Sequence, residues 1–193
     1  MLAGGRSVRM GQDKAALVLN GQSLLEQSVQ LVSAFTISVH VAARAEQAGN
    51  DVRRRFSLLF DPAPDLGPAG GLLAAFLHDS AAAWLVLACD MPGVDAQLLQ
   101  ALVANRDPGR GATAWRGSGD GLPEPLCAIW EPATLARLAA EARKPGMRPV
   151  SPRAILAAAD PLLLDPVRPA ALVSVNTLAD LHPYREYDDG HKP

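Results

Sequence analysis

The sequence predicts an α/β fold of three layers, with a mostly parallel sheet between helices, on three observations. Short β-type apolar runs alternate with longer Ala- and Leu-rich stretches of helical period, the pattern of repeated βαβ units. One apolar run closes on Asp90-Met91-Pro92, which places a carboxylate at the carboxyl edge of a strand. A glycine-rich segment with cationic side chains occupies residues 2–14. In open α/β sheets such a segment binds ligands beyond a strand end.

The elements follow in order. Only Met1, Leu2 and Ala3 precede the glycines, so the first strand is expected to be nearly absent or truncated. A helix is predicted over 23–34, strands over 37–42 and 58–60, and a helix over 70–78. The run 84–89 reads as a buried strand and 96–105 as a helix with Asp95 as N-cap. Strands are expected at 111–115 and 126–130, helices at 133–143 and 152–159 with Ser151 capping the second, and a last strand at 171–175. Residues 116–125 read as a flexible loop. No repeat or linker divides the chain, so residues 1–186 are expected to form one domain and 187–193 a frayed tail.

Composition excludes several function classes. With 49% hydrophobic and 20% charged residues the chain is globular rather than disordered. A net charge of −2 supplies no field for nucleic acid or anionic lipid, so neither is an expected partner. No apolar run reaches the roughly 18 residues of a membrane span, and no signal-peptide pattern opens the chain. Cys89 and Cys127 sit in apolar runs as small buried hydrophobes, with no disulfide or C-x-x-C pattern. A reducing, cytoplasmic setting is the expectation.

The chemistry concentrates at three places. In Leu2-Ala3-Gly4-Gly5-Arg6-Ser7-Val8-Arg9-Met10-Gly11-Gln12-Asp13-Lys14, the glycines let consecutive N–H groups turn inward as an anion nest. Arg9 and Lys14 add fixed positive charge suited to a triphosphate, whereas the alternative is a surface turn with two solvated cations. The spacing is neither a P-loop nor G-x-G-x-x-G. Asp90 suits a hard cation that bridges phosphate oxygens, or else caps the helix after Pro92. Asp61 accepts from a base or ribose, or opens the turn before Pro62. Gly67-Pro68 with Gly70-Gly71 approaches a ligand or merely leads into a helix. Two glycines in a helix cost about 1 kcal/mol each against Ala, which points to a close approach there, as by a planar base. The four histidines lack ligand spacing, the run Arg53-Arg54-Arg55 reads as a solvated face, and no nucleophile motif for covalent catalysis appears.

These segments together resemble the molybdenum cofactor guanylyltransferases and their relatives among the sugar-nucleotide pyrophosphorylases. The matching stretches are residues 2–14, Asp61 with 66–71, 85–92, and Val175-Asn176-Thr177 running to Asp180-Leu181, in the family's order. The resemblance implies a Rossmann-like nucleotidyltransferase fold in which Leu2, Ala3, Gly4, Gly5, Lys14, Asp61, Gly67 and Gly71 bind the nucleotide. It implies Mg²⁺ on Asp90, catalytic roles for Arg9, Lys14 and Asp90, and an acceptor contact at Asn176, whose structural alternative is a helix N-cap. The implied reaction transfers GMP from GTP to the phosphate of molybdopterin with release of pyrophosphate. A molybdoenzyme is the implied transient recipient. The chain departs from the family at Leu178 and Ala179, where Pro and Glu are usual, and at Ser174, where Asn is common. Two other readings stand beside this one. The first is transfer of CMP to the same cofactor, or of a nucleotide to a sugar or alcohol phosphate. The second is a non-catalytic nucleotide-binding module.

Overall fold

The computed structural model describes residues 1–5, 13–117, 119–144 and 150–185. A hairpin of β1 (Val18–Leu19) and β2 (Gln22–Ser23) leads into α1 (Leu24–Ser33), followed by β3 (Val41–Ala43), β4 (Leu58–Phe60) and α2 (Pro68–His78). Then come β5 (Trp84–Leu87), α3 (Ala96–Ala104), β6 (Ala112–Arg116), β7 (Pro123–Trp130), α4 (Pro132–Ala142), α5 (Pro152–Ala157) and β8 (Leu162–Leu164).

Local chemistry explains the helix starts. Ser23 opens α1 with a capping box, its hydroxyl accepting from the Glu26 amide while the Glu26 carboxylate accepts from Ser23. Asp95 caps α3 and Ser151 caps α5, as the sequence predicts. The β1–β2 turn is Asn20-Gly21, both at positive φ (51° and 82°), a hairpin signal absent from the predicted elements.

The sheet is mixed. Leu2 forms parallel bridges to both Ala42 and Ala88, so residues 1–3 lie between β3 and β5 and join the β4-β3 pair to the order β5-β7-β6-β8. All of these segments run the same way except β7, which is antiparallel to β5 and to β6. The connection from β6 to β7 is too short for a crossover, and a hairpin must reverse the chain. The predicted loop at 116–125 accordingly contracts to residues 117–122, with the Gly117 amide donating to the Leu122 carbonyl at 2.7 Å.

Helices cover both faces, giving the expected three layers. Alternate residues of β7 divide between two cores, since Cys127 and Ile129 join Leu98, Leu99 and Leu102 of α3, whereas Ala128 and Trp130 join Leu72, Leu135, Leu138 and Leu156 of α2, α4 and α5. Both cysteines are buried and unpaired, and burial pushes the Cys89 thiol up to about 12. Among the described residues no helix is long and apolar enough to cross a membrane.

Three expectations are corrected. The predicted strand at 171–175 includes part of a 3-10 turn, Pro169–Leu172, and the last sheet strand is β8, where Pro161 and Leu162 follow α5. Residues 171–175 instead cross over the carboxyl end of β5. The Val175 amide donates to the Asp90 carbonyl at 2.8 Å, and a Cβ on Gly93 would stand 2.7 Å from the Ala171 Cα. The strand predicted from residue 37 begins only at Val41, because Ile37 is fully exposed. The arginine run is not wholly solvated, since Arg53 is completely buried. The predicted tail, 187–193, lies outside the described residues.

Candidate active site

The carboxyl edge of the sheet opens into a cleft lined by Leu2, Ala3, Gly4 and Gly5, by Lys14, Asp61, Pro68 and Gly71, and by Cys89, Asp90 and Leu126. Each wall has a local cause. Residues 2 and 3 are fixed in the ladder, the Leu2 amide donating to the Leu87 carbonyl at 2.9 Å and the Ala3 amide to the Ala42 carbonyl at 3.1 Å. The chain therefore leaves the sheet at Gly4. Lys14 begins a 3-10 turn (Lys14–Ala16) whose cap is Asp13, accepting from the Ala15 amide. Asp90 follows β5, with the Cys89 amide donating to the Leu2 carbonyl at 3.2 Å.

Three residues far apart in the chain meet here. The Lys14 ammonium donates to Asp90 Oδ2 at 2.9 Å and to Asn176 Oδ1 at 3.0 Å. Lys14 and Asp90 are about four-fifths buried, so their attraction is less screened than at an open surface. The helix-cap alternatives fail for both oxygens. Asp95 caps α3, and Asn176 presents its side chain to Lys14 while its backbone amide donates to Asp180 Oδ2 at 2.7 Å. The Asp180 carboxylate also accepts from the Thr177 amide, and these hydrogen bonds hold it below the ordinary carboxylate value.

Asp61 stands at the other end of the cleft, its amide donating to the Ala43 carbonyl at 3.0 Å. Burial raises its carboxyl to about 6, against the opposing charge of Arg44. Gly70 explains how it fits, and its neighbour Gly71 admits Leu2 and Ala42. A Cβ at Gly70 would lie 2.7 Å from the Asp61 carboxyl carbon, and one at Gly71 would lie 2.4 Å from Leu2 Cδ2 and 2.7 Å from Ala42 Cβ. The close approach inferred from sequence is thus made by the protein itself, and no base is required to account for it. Gly67 caps α2 at φ 57° without lining the cleft, whereas its neighbour Pro68 does. Arg9 lies outside the described residues.

Sequence reasoning missed the arginines that hold Ala3, Gly4 and Asp13. The buried Arg53 guanidinium donates to both Asp13 carboxylate oxygens, one of them at 2.9 Å, and to the Ala3 carbonyl, with Nε at 3.2 Å. Burial alone would raise the Asp13 carboxyl, but Arg53 and the Ala15 amide outweigh it and hold that group below its usual value. Arg44 Nε donates to the Gly4 carbonyl at 2.9 Å, and its NH1 pairs with Glu46. Nothing in three consecutive arginines marks which one points inward.

His78 ends α2 and His182 lies in a 3-10 turn, and His40 and His78 meet with ring centroids 4.6 Å apart beside Trp84, at the sheet edge opposite the cleft. No group of three or more His, Cys, Asp or Glu side chains able to hold a metal occurs among the described residues. A cation at the Lys14 end of the cleft would meet the Asp90 carboxylate and the Asn176 amide oxygen, with other ligands completing its shell. That donor set fits Mg²⁺, which takes one or two carboxylates together with phosphates and waters.

Comparison with known proteins bears on the family and the fold. The family model described as "MobA-like NTP transferase domain" matches residues 1–161. The chain is 29% identical over 180 residues to a molybdenum cofactor biosynthesis bifunctional protein of Synechocystis sp., covering 93% of this chain and 51% of that protein. It is 43% identical over 105 residues to a molybdenum cofactor guanylyltransferase of Xanthomonas euvesicatoria, covering 54% of this chain and 52% of that one. The chain thus spans about half the length of these two relatives. In fold it is similar to the crystal structure of molybdopterin-guanine dinucleotide biosynthesis protein A from Archaeoglobus fulgidus, with a TM-score of 0.74 at 24% identity over 93% of this chain and 92% of the other.

Proposed function

Because the chain belongs to the MobA-like NTP transferase family, we propose that it transfers GMP from GTP to the phosphate of molybdopterin and releases pyrophosphate. The observation that carries this reading is the meeting of Lys14, Asp90 and Asn176 at the carboxyl edge, beside the Gly4-Gly5 backbone. A glycine backbone and an ammonium suit phosphate oxygens, and a carboxylate with an amide oxygen suits a hard cation. The guanylyl assignment draws on relatives named for that activity and on Asp61, whose carboxylate is able to accept from the N–H donors of a guanine edge.

In this reaction an acceptor phosphate oxygen attacks the α-phosphorus, and the bond from that phosphorus to the β-phosphate oxygen breaks. Lys14, with Arg9 assigned the same role, neutralises charge on the phosphates. The backbone of Gly4 and Gly5 positions them, and Asn176 is assigned the contact to the acceptor. Asp90 and Asn176 would hold Mg²⁺, which when bound supplies charge neutralisation and a template for the phosphates. No covalent enzyme intermediate is needed, because positioning and electrostatics supply the catalysis. We assign the reaction to the cytoplasm, with a molybdoenzyme as transient recipient of the product and with residues 1–186 as one catalytic unit.

The test is direct: purified protein, Mg-GTP and molybdopterin are combined and pyrophosphate is measured. Release that depends on molybdopterin and gives the guanine dinucleotide supports the reading. Absence of transfer from GTP, with transfer from CTP, would replace it with the cytidylyl reaction.

A further inference from the structure

Two arginines grip consecutive carbonyl oxygens at the mouth of the glycine segment. Arg53 donates through Nε and NH2 to the Ala3 carbonyl, and Arg44 donates through Nε to the Gly4 carbonyl at 2.9 Å. Neither arginine lines the cleft, whereas Ala3, Gly4 and Gly5 do. In a trans peptide the carbonyl of one residue and the amide N–H of the next point in opposite directions, and no described peptide bond is cis. Holding the Ala3 carbonyl therefore turns the Gly4 N–H the other way, and holding the Gly4 carbonyl does the same for the Gly5 N–H. Among the described residues, neither N–H donates to a protein acceptor.

We propose that Arg53 and Arg44 are positioning residues that hold the Ala3 and Gly4 carbonyls back, so that the Gly4 and Gly5 amides face the cleft as preset donors for a phosphate. Arg53 extends the device to the far side of the segment, since the same guanidinium holds Asp13, next to Lys14. One buried side chain thus ties together residues on either side of 4–12 and sets the spacing between the amides and the ammonium. A lysine cannot replace it, because an ammonium lacks the planar fork that engages a carbonyl and a carboxylate at once. The inference rests on the phosphate-binding reading of the cleft.

The test uses magnesium-free pyrophosphate, which has no base and no metal, at a slightly alkaline pH where Asp61 is ionised in every variant. Calorimetry on wild type, Arg53→Lys and Arg44→Lys separates charge from geometry, because both substitutions keep the charge. Each should weaken pyrophosphate binding by about fivefold to tenfold. In amide spectra of the wild type, pyrophosphate should shift Gly4 and Gly5, and the shifts should shrink in the variants. Arg44 is partly exposed, so Arg44→Lys gives a folded protein even if Arg53→Lys does not. Wild-type affinity in the folded lysine variants, or unmoved Gly4 and Gly5 amides, would overturn the proposal while leaving the transferase reading intact. Failure of wild type to bind pyrophosphate at all would remove the phosphate cradle itself, and with it both readings.

Discussion

The Lys14 ammonium lies 2.9 Å from the Asp90 carboxylate, although 76 residues separate them in the chain. The pair satisfies itself, each charge covering the other within the cleft. A triphosphate and a hard cation would each take one partner, and the two charges are then needed for different ligands.

Substitutions at the pair should therefore fail differently. Asp90→Asn keeps the shape but loses the charge that would hold a cation, and a loss of about 4 kcal/mol in the transition state corresponds to a fall of roughly a thousandfold in kcat. Its magnesium-free GTP affinity should not fall, because Lys14 then faces phosphate without the competing charge of the Asp90 carboxylate. Lys14→Ala should weaken magnesium-free GTP and, by removing the competing ammonium, tighten Mn²⁺ binding to the nucleotide-free protein. Steady-state kinetics and Mn²⁺ titration read both. Near-normal turnover in Asp90→Asn at saturating Mg-GTP would take the metal off Asp90.

Among the four Mg-NTPs, Mg-GTP should raise the melting temperature most, since only guanine offers adjacent N–H donors to the Asp61 carboxylate. At 100 times Kd a ligand adds about 2.7 kcal/mol, well within the reach of a thermal-shift panel. Equal shifts for all four would remove base reading by Asp61.

Asp61 should also make stability depend on pH. Its carboxyl titrates at about 6 in the fold against 3.8 in an ordinary carboxylate, so between these values the folded chain holds a proton that the unfolded chain has lost. Stability then falls as pH rises across that window. Asp61→Asn should gain about 1 kcal/mol at neutral pH, discounted for solvent screening, and nothing near pH 4. GTP affinity of the unaltered protein should rise as pH passes through 6, because an ionised carboxylate is the acceptor. Urea titrations and GTP binding at several pH values check both, and a gain in Asp61→Asn that is the same at acid pH would contradict the assignment.

Gly71→Ala should destabilise the fold by about 1–3 kcal/mol, the usual cost of overpacking. The added Cβ would press on Leu2 Cδ2 at 2.4 Å and on Ala42 Cβ at 2.7 Å, pushing α2 away from the segment that leads into Gly4. GTP affinity should fall along with stability. Gly5→Ala is the comparison, because its Cβ would meet nothing within 4 Å, and its melting temperature should stay close to that of the unaltered protein. Equal melting temperatures for the two variants would refute the packing account of Gly71.

Local pattern by itself determined the alternation of strands and helices, the caps at Asp95 and Ser151, the burial of both cysteines, and Asp90 at a strand end, because each depends on neighbours a few residues away. The glycine segment, Asp61, Asp90 and Asn176 were legible as one set through their resemblance to a family's ordered segments. Tertiary structure alone decided that Asn176 meets Lys14 across 162 residues, that β7 runs against its neighbours, and that residues 171–175 cross the end of β5 rather than joining the sheet. It also decided that Gly70 and Gly71 make room for Asp61, Leu2 and Ala42, and that Arg53, unlike Arg54, turns inward to Asp13 and the Ala3 carbonyl. The physical reason is that a periodic pattern reports which face of an element is apolar, whereas the partner of a buried charge or a missing Cβ is set by which distant segment the fold lays against it.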